Sequence, residues 1–210
     1  MRQNQGKQLV GKSVKLVPYA AAHVPKYHKW MQDPEILKAT ASEPLSLEAK
    51  HEMQRKWVTD EDKCTFIVLD QDLITADGAP DHLEAMVGDT NLFLRESEDG
   101  AVAELEVMIA EVGSRRKGLA SQAVVMMMQW ALQHLGLHKF EVKIGDANAA
   151  SLALFKRLGF TVVGHSDVFE ETCLALEIKD AHFGMQNWEK MHLQLHDTRD
   201  ADRRLQSDRT

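Results

Sequence analysis

Three adjacent cations, Arg115, Arg116 and Lys117, run into Gly118, Leu119, Ala120 and Ser121 within "GSRRKGLASQAV" (113–124), immediately before a long apolar stretch. A strand that ends in a glycine-bearing turn and feeds a helix points several backbone N–H groups into one concavity, where the helix dipole adds about half a positive charge. Such a nest suits a pyrophosphate. Gly118 lets the backbone approach closely, Ala120 keeps the first helical turn small, and the flanking cations add charge. Two other phosphate motifs fail here. Gly113 and Gly118 have the spacing of a P-loop, but Leu119 and Ala120 stand where that motif needs Lys and Ser or Thr. The three spaced glycines of a dinucleotide fingerprint are missing as well. These residues taken alone leave a second reading open, a solvated basic turn ahead of a core helix.

Just upstream, Glu104 and Glu106 alternate in "AELEVMIAE" (103–111), so a strand puts both carboxylates on one face. Either could take a proton from a substrate, and the same spacing also fits two exposed strand carboxylates. No metal site is expected. The ten histidines are scattered, and His134, His138 and His165 lack ligand spacing. Cys64 and Cys173 sit among apolar neighbours and read as buried thiols.

The elements that must position these groups follow from periodicity. "KSVKLVPY" (12–19) reads as a strand, and "AAHVPKYHKWMQDPEIL" as a helix with Pro25 in its first turn and a break at Pro34. Ser46 is the expected N-cap of a second helix with Met53 and Trp57 facing inward. Strands are expected at 64–72, 84–94 and 103–111, then a helix from Gly118 to His134 ended by Gly136. A strand at 139–145, a short helix with Gly159 at its end, and two closing strands complete the chain. Met126 to Met128, Val124 and Trp130 make the long helix apolar nearly all round, which predicts packing on a sheet. The fold class is therefore α/β, a mixed and mostly antiparallel sheet with helices on both faces.

At 210 residues, 44% hydrophobic and 27% charged, the chain predicts a single domain over 1–185 and a polar, flexible tail over 186–210. A net charge of -7 argues against a broad nucleic-acid surface. No apolar run is long enough for a membrane span, and "MRQNQGKQLVGK" has no signal-like segment. The expected location is the cytoplasm, with the nucleus left open.

The second half resembles the GCN5-related N-acetyltransferase superfamily. Its phosphate motif, Gln or Arg, two residues, Gly, one residue, Gly or Ala, is matched by Arg115 to Ala120, and "KFEVKIGDANAASLALFKRLGF" supplies the following strand and a helix opening at Asn148 and closing on Gly159-Phe160. "VPY", "TASEPL", "DKCTFIVLD", "VGDTNLFL" and "ELEVMIAE" extend the likeness to the N-acetyltransferase 9-like branch over most of residues 1–180. The resemblance implies acetyl-CoA as co-substrate, with pantetheine against the backbone near Met108 and Ile109, pyrophosphate over Arg116 to Ser121, and further cofactor contacts from Asn148, Ser151 and Phe155. Of the two candidate bases Glu104 and Glu106, Glu104 matches the acidic position used in some relatives. It also implies a protein N-terminal amine as acceptor, tubulin or microtubules as partner. Phe155 stands where many relatives place a Tyr that protonates the departing thiolate. Lysine or small-amine acetylation, and a microtubule-binding module with weak or lost catalysis, are the alternative readings.

Overall fold

The computed structural model describes residues 2–75, 82–97 and 100–178. The expected tail at 186–210 lies outside them. Eight strands form one sheet: β1 (Leu9–Val10), β2 (Val14–Pro18), β3 (Lys63–Asp70), β4 (Met86–Ser97), β5 (Gly100–Ile109), β6 (Lys139–Gly145), β7 (Thr161–Ser166) and β8 (Glu171–Glu177), in the spatial order β1-β2-β3-β4-β5-β6-β8-β7. Every neighbouring pair is antiparallel except β5 and β6.

Among the described residues five α-helices cover the sheet: α1 (Val24–Trp30), α2 (Pro34–Ala39), α3 (Leu47–Thr59), α4 (Leu119–Leu135) and α5 (Ala149–Arg157). On one face α4 and α5 pack over Leu105, Phe140 and Val142, with Met126, Met127, Met128 and Trp130 fully buried. On the other face Tyr27 and Trp30 of α1 and Ile36 of α2 close over Val17, Ile67 and Met86. Helices lie on both faces because α4 is apolar almost all round, while α1 is apolar on one stripe.

The starts and stops follow local chemistry. Pro25 occupies the first turn of α1, where its missing N–H costs nothing. Ser46 caps α3, its hydroxyl accepting from Ala49 N at 3.1 Å. Gly118 and Gly136 bound α4, both with positive φ.

Three expectations need correcting. Pro34 breaks α1 but also opens α2, where Asp33 caps the new helix through Glu35 N at 2.8 Å. The short β1 pairs with β2 and went unread, since two residues carry no period. In α3 it is Lys50 and Gln54 that are buried, while Met53 and Trp57 are half-buried. Gln54 turns inward because its amide donates to Tyr19 O at 3.0 Å, and the Lys50 ammonium lies 4.8 Å from the Tyr27 ring centroid.

Candidate active site

β5 and β6 run parallel, paired only at Ala103–Phe140 and Glu104–Glu141. Beyond those pairs Leu105 to Ile109 have no partner on β6, and the gap opens toward the turn that enters α4. Met108 and Ile109 are half-buried at that end. Opposite, Asn148 caps α5, its Oδ1 accepting from Ser151 N at 3.1 Å.

The turn itself is left-handed twice, at Arg116 (φ +65°) and Gly118 (φ +81°). No side chain caps α4, and among the described residues the backbone N–H groups from Arg116 to Ser121 meet no acceptor. These are the orphan donors of a helix start, pointing to an anion. The three cations do not act alike. The Arg115 guanidinium folds back, Nε donating to Ile109 O at 2.9 Å and Nη2 to Ala110 O at 3.1 Å. Lys117 Nζ lies 3.1 Å from Asp70 Oδ2. Arg116 pairs with no described residue. The Leu119 side chain is buried in the core, so it can offer only its N–H, whereas Ala120 and Ser121 are half-buried at the helix start.

Asp70 went unnoticed in the sequence. It ends β3, is fully buried, and also accepts from Ser114 Oγ at 3.2 Å. Two groups at the entry to α4 therefore hang on a carboxylate that local spacing could not connect to them, since Lys117 lies 47 residues away.

On the α1 and α3 side of the sheet an open cleft of about 460 Å³ is lined by Trp57, Lys63, Phe93, Arg95, Glu104 and Glu106, among others. Both glutamates do reach it, as the period of two requires, but their surroundings differ. Glu104 is held by Lys143 Nζ at 2.8 Å and by Arg95 Nε at 3.3 Å, and Arg95 also binds Glu141 at 2.6 Å. Glu106 forms no ion pair among the described residues. Glu106 is exposed at the mouth of the cleft, yet the protein around it withholds enough water to push its pKa up to about 7, with Lys63 opposing and Asp89 and Glu104 adding to the rise. Asp89 lies beneath, fully buried, accepting from Tyr27 Oη at 3.0 Å and from Asn91 Nδ2 at 2.8 Å; burial raises its pKa too.

A splayed parallel pair, a helix start with free N–H groups and an acidic cleft alongside are matched by a known family. Residues 13–161 fit the family model described as an acetyltransferase (GNAT) domain. The chain belongs to the GNAT acetyltransferase family. It is 48% identical over 180 residues to the mouse (Mus musculus) alpha/beta-tubulin-N-acetyltransferase 9, covering 86% of this chain and 75% of that one. It is 46% identical over 177 residues to the N-acetyltransferase 9-like protein of Nematostella vectensis, covering 84% and 89% of the two chains. Among solved structures, a ribosomal L7/L12 alpha-N-protein acetyltransferase in complex with coenzyme A superposes with a TM-score of 0.65 at 16% identity, covering 80% of this chain and 96% of that one. The spermidine N-acetyltransferase of Vibrio cholerae superposes with a TM-score of 0.63 at 18% identity, covering 79% and 95%. These structures share the fold.

In this acetyltransferase the residues picked from the sequence divide by place. Met108, Ile109 and the 115–121 turn lie at the open end of the β5/β6 gap, and Asn148 and Ser151 lie at the start of α5, after β6. Phe155 does not stand in the open: it is buried and packs edge-on against Phe160, centroids 5.1 Å apart. Its ring belongs to the core under α5 and has no proton to give. Among the described residues no cluster of His, Cys, Asp or Glu could hold a metal ion, and no helix is long and apolar enough to cross a membrane.

Proposed function

We propose that this acetyltransferase moves the acetyl group of acetyl-CoA to the N-terminal α-amine of a protein, with tubulin as the leading acceptor. The observation that carries the reading is Glu106, a carboxyl without an ion pair among the described residues, in an open cleft, with a pKa raised to about 7. At pH 7 an α-amine of pKa about 7.7 to 8.0 is roughly a tenth neutral, whereas a lysine near 10.4 is neutral below one part in a thousand. A base that is about half ionised at that pH suits the first acceptor and falls far short for the second. Likeness to proteins named alpha/beta-tubulin-N-acetyltransferase 9 supports tubulin.

The residues present fit acetyl-CoA. The orphan N–H groups of Arg116 to Ser121 match a pyrophosphate, Arg116 adds a cation unpaired among the described residues, and the β5 edge at Met108 and Ile109 offers backbone groups to a pantetheine arm. When bound, acetyl-CoA supplies the activated acetyl group as a thioester. Glu106 then takes the ammonium proton of the acceptor, and backbone N–H groups near Met108 and Ile109 polarise the carbonyl under attack. Phe155 cannot protonate the leaving sulfur, and a thiol pKa near 8.5 makes free thiolate a tolerable leaving group.

The test is transfer of labelled acetyl from acetyl-CoA to three sets of peptides: tubulin N-terminal peptides, the same peptides blocked at the α-amine, and lysine peptides. Gly118→Glu, which puts a side chain and a negative charge at a left-handed helix start, serves as the cofactor control. Acetylation of free α-amines alone, lost in the control, is expected. Labelling of blocked or lysine peptides at equal rates would move the assignment to side-chain amines, and no labelling of any peptide would leave a binding module.

A further inference from the structure

Lys63 opens β3 and is only 6% exposed. Its ammonium is clamped between two rings, 3.5 Å from the Trp57 centroid and 3.8 Å from that of Phe93. Among the described residues no carboxylate pairs with it directly. A buried charge without a contact ion is costly, and an apolar side chain of the same length would pack against both rings without that cost. The cage replaces part of the lost hydration and fixes the ammonium in place.

What the charge faces follows from register. Lys63 pairs with Phe93 and Phe93 with Glu104, while on the next line Thr65 pairs with Asn91 and Asn91 with Glu106. Lys63 and Glu106 thus stand on the same face, one step apart along the strands, and both line the cleft. The charged and titratable groups around Glu106 are Lys63 from β3, Asp89 from β4, Glu104 on its own strand, Lys143 from β6, and Tyr27 from α1. Lys143 and the nearby Arg95 are already engaged by Glu104 and Glu141. Lys50 of α3 lies against Tyr27 and toward Asp89. Among the described residues Lys63 is therefore the cation left to act across the cleft.

We propose that Lys63, caged by Trp57 and Phe93, is a positioning residue for acetyl transfer: its fixed ammonium holds the Glu106 carboxylate charged and ready to receive the acceptor's proton. The inference rests on Glu106 as proton acceptor. In the step an N–H bond of the acceptor ammonium breaks, an O–H bond on Glu106 forms, and the amine nitrogen keeps the electron pair with which it attacks. Lys63 exchanges no proton. Burial lowers its pKa only to about 8, so it stays mostly charged at pH 7.

The experiment is the pH dependence of kcat/KM for a free-α-amine peptide at saturating acetyl-CoA, with the peptide's own amine titrated separately and divided out. Lys63→Met is expected to move the acid limb upward by about one unit, the low end of what one nearby opposite charge does. Activity then falls roughly 8-fold at pH 6.5 and converges with the native enzyme near pH 9. Lys63→Arg restores the native limb. Glu106→Gln separates the two ideas. If it keeps the limb, Glu106 is not the proton acceptor and that reading falls. If it loses the limb but Lys63→Met only lowers the profile without shifting it, Lys63 is a packing residue and the inference is overturned. Should Lys63→Met fail to fold, Trp57→Leu opens one wall of the cage to water and must shift the limb in the same direction by a smaller amount; an unmoved limb overturns the inference equally.

Discussion

Gly88 on β4 stands opposite Ile109 on β5, where the β5 edge turns toward the proposed cofactor arm. A methyl group built on Gly88 would lie 1.9 Å from Met108 O and 2.9 Å from Met108 C. The first distance falls about 1.1 Å short of the 3.0 Å that real Cβ contacts respect. The obstructing atoms are backbone in a central strand, so no rotamer change relieves the clash. Gly88→Ala must therefore push β4 and β5 apart by about an ångström or break the ladder there. Overpacking of this kind costs roughly 1–3 kcal/mol, and a displacement of about 1 Å at a reacting geometry costs on the order of 100-fold in rate. Urea unfolding followed by intrinsic tryptophan fluorescence measures the first, and steady-state acetyl transfer with acetyl-CoA varied measures the second. The expected variant is folded, less stable by that amount, and about 100-fold slower. Native stability together with native kcat in Gly88→Ala would refute the claim that this contact sets the width of the site.

Asp70→Asn is expected to free Lys117 and loosen Ser114, raising the KM for acetyl-CoA about tenfold, in line with 1–2 kcal/mol for a lost charge-assisted contact, while kcat changes little; initial rates at varied acetyl-CoA check it. Glu106 has its pKa raised in the fold from 4.5 to about 7, so the folded chain holds an extra proton between those values and stability falls as pH rises through that window. Glu106→Gln should therefore melt higher than the native protein at pH 8 and no higher at pH 4, as read by thermal unfolding at the two pH values.

Much of this site could be read from the chain because its chemistry is local. The turn from Arg115 to Ser121 is contiguous, Gly118 marks its left-handed start, and orphan N–H groups follow from any helix beginning there. The alternation that puts Glu104 and Glu106 on one face is a property of a strand alone. The helix cap at Ser46 was legible for the same reason, since a cap reaches only three residues ahead.

The tertiary structure decided everything that depends on partners distant in sequence. Packing chose Lys50 and Gln54 over Met53 for the buried side of α3, because Tyr19 and Tyr27 offered an acceptor and a ring. It told the two glutamates apart by bringing Arg95 and Lys143 to Glu104 and leaving Glu106, among the described residues, without an ion pair in the same cleft. It tied Lys117 to Asp70 and Arg115 to the end of β5, so of three equal charges two became structural, while Arg116 has no partner among the described residues. Sequence sets which groups can carry charge; only the surrounding dielectric and the partners brought together by folding set which of them stay free to react.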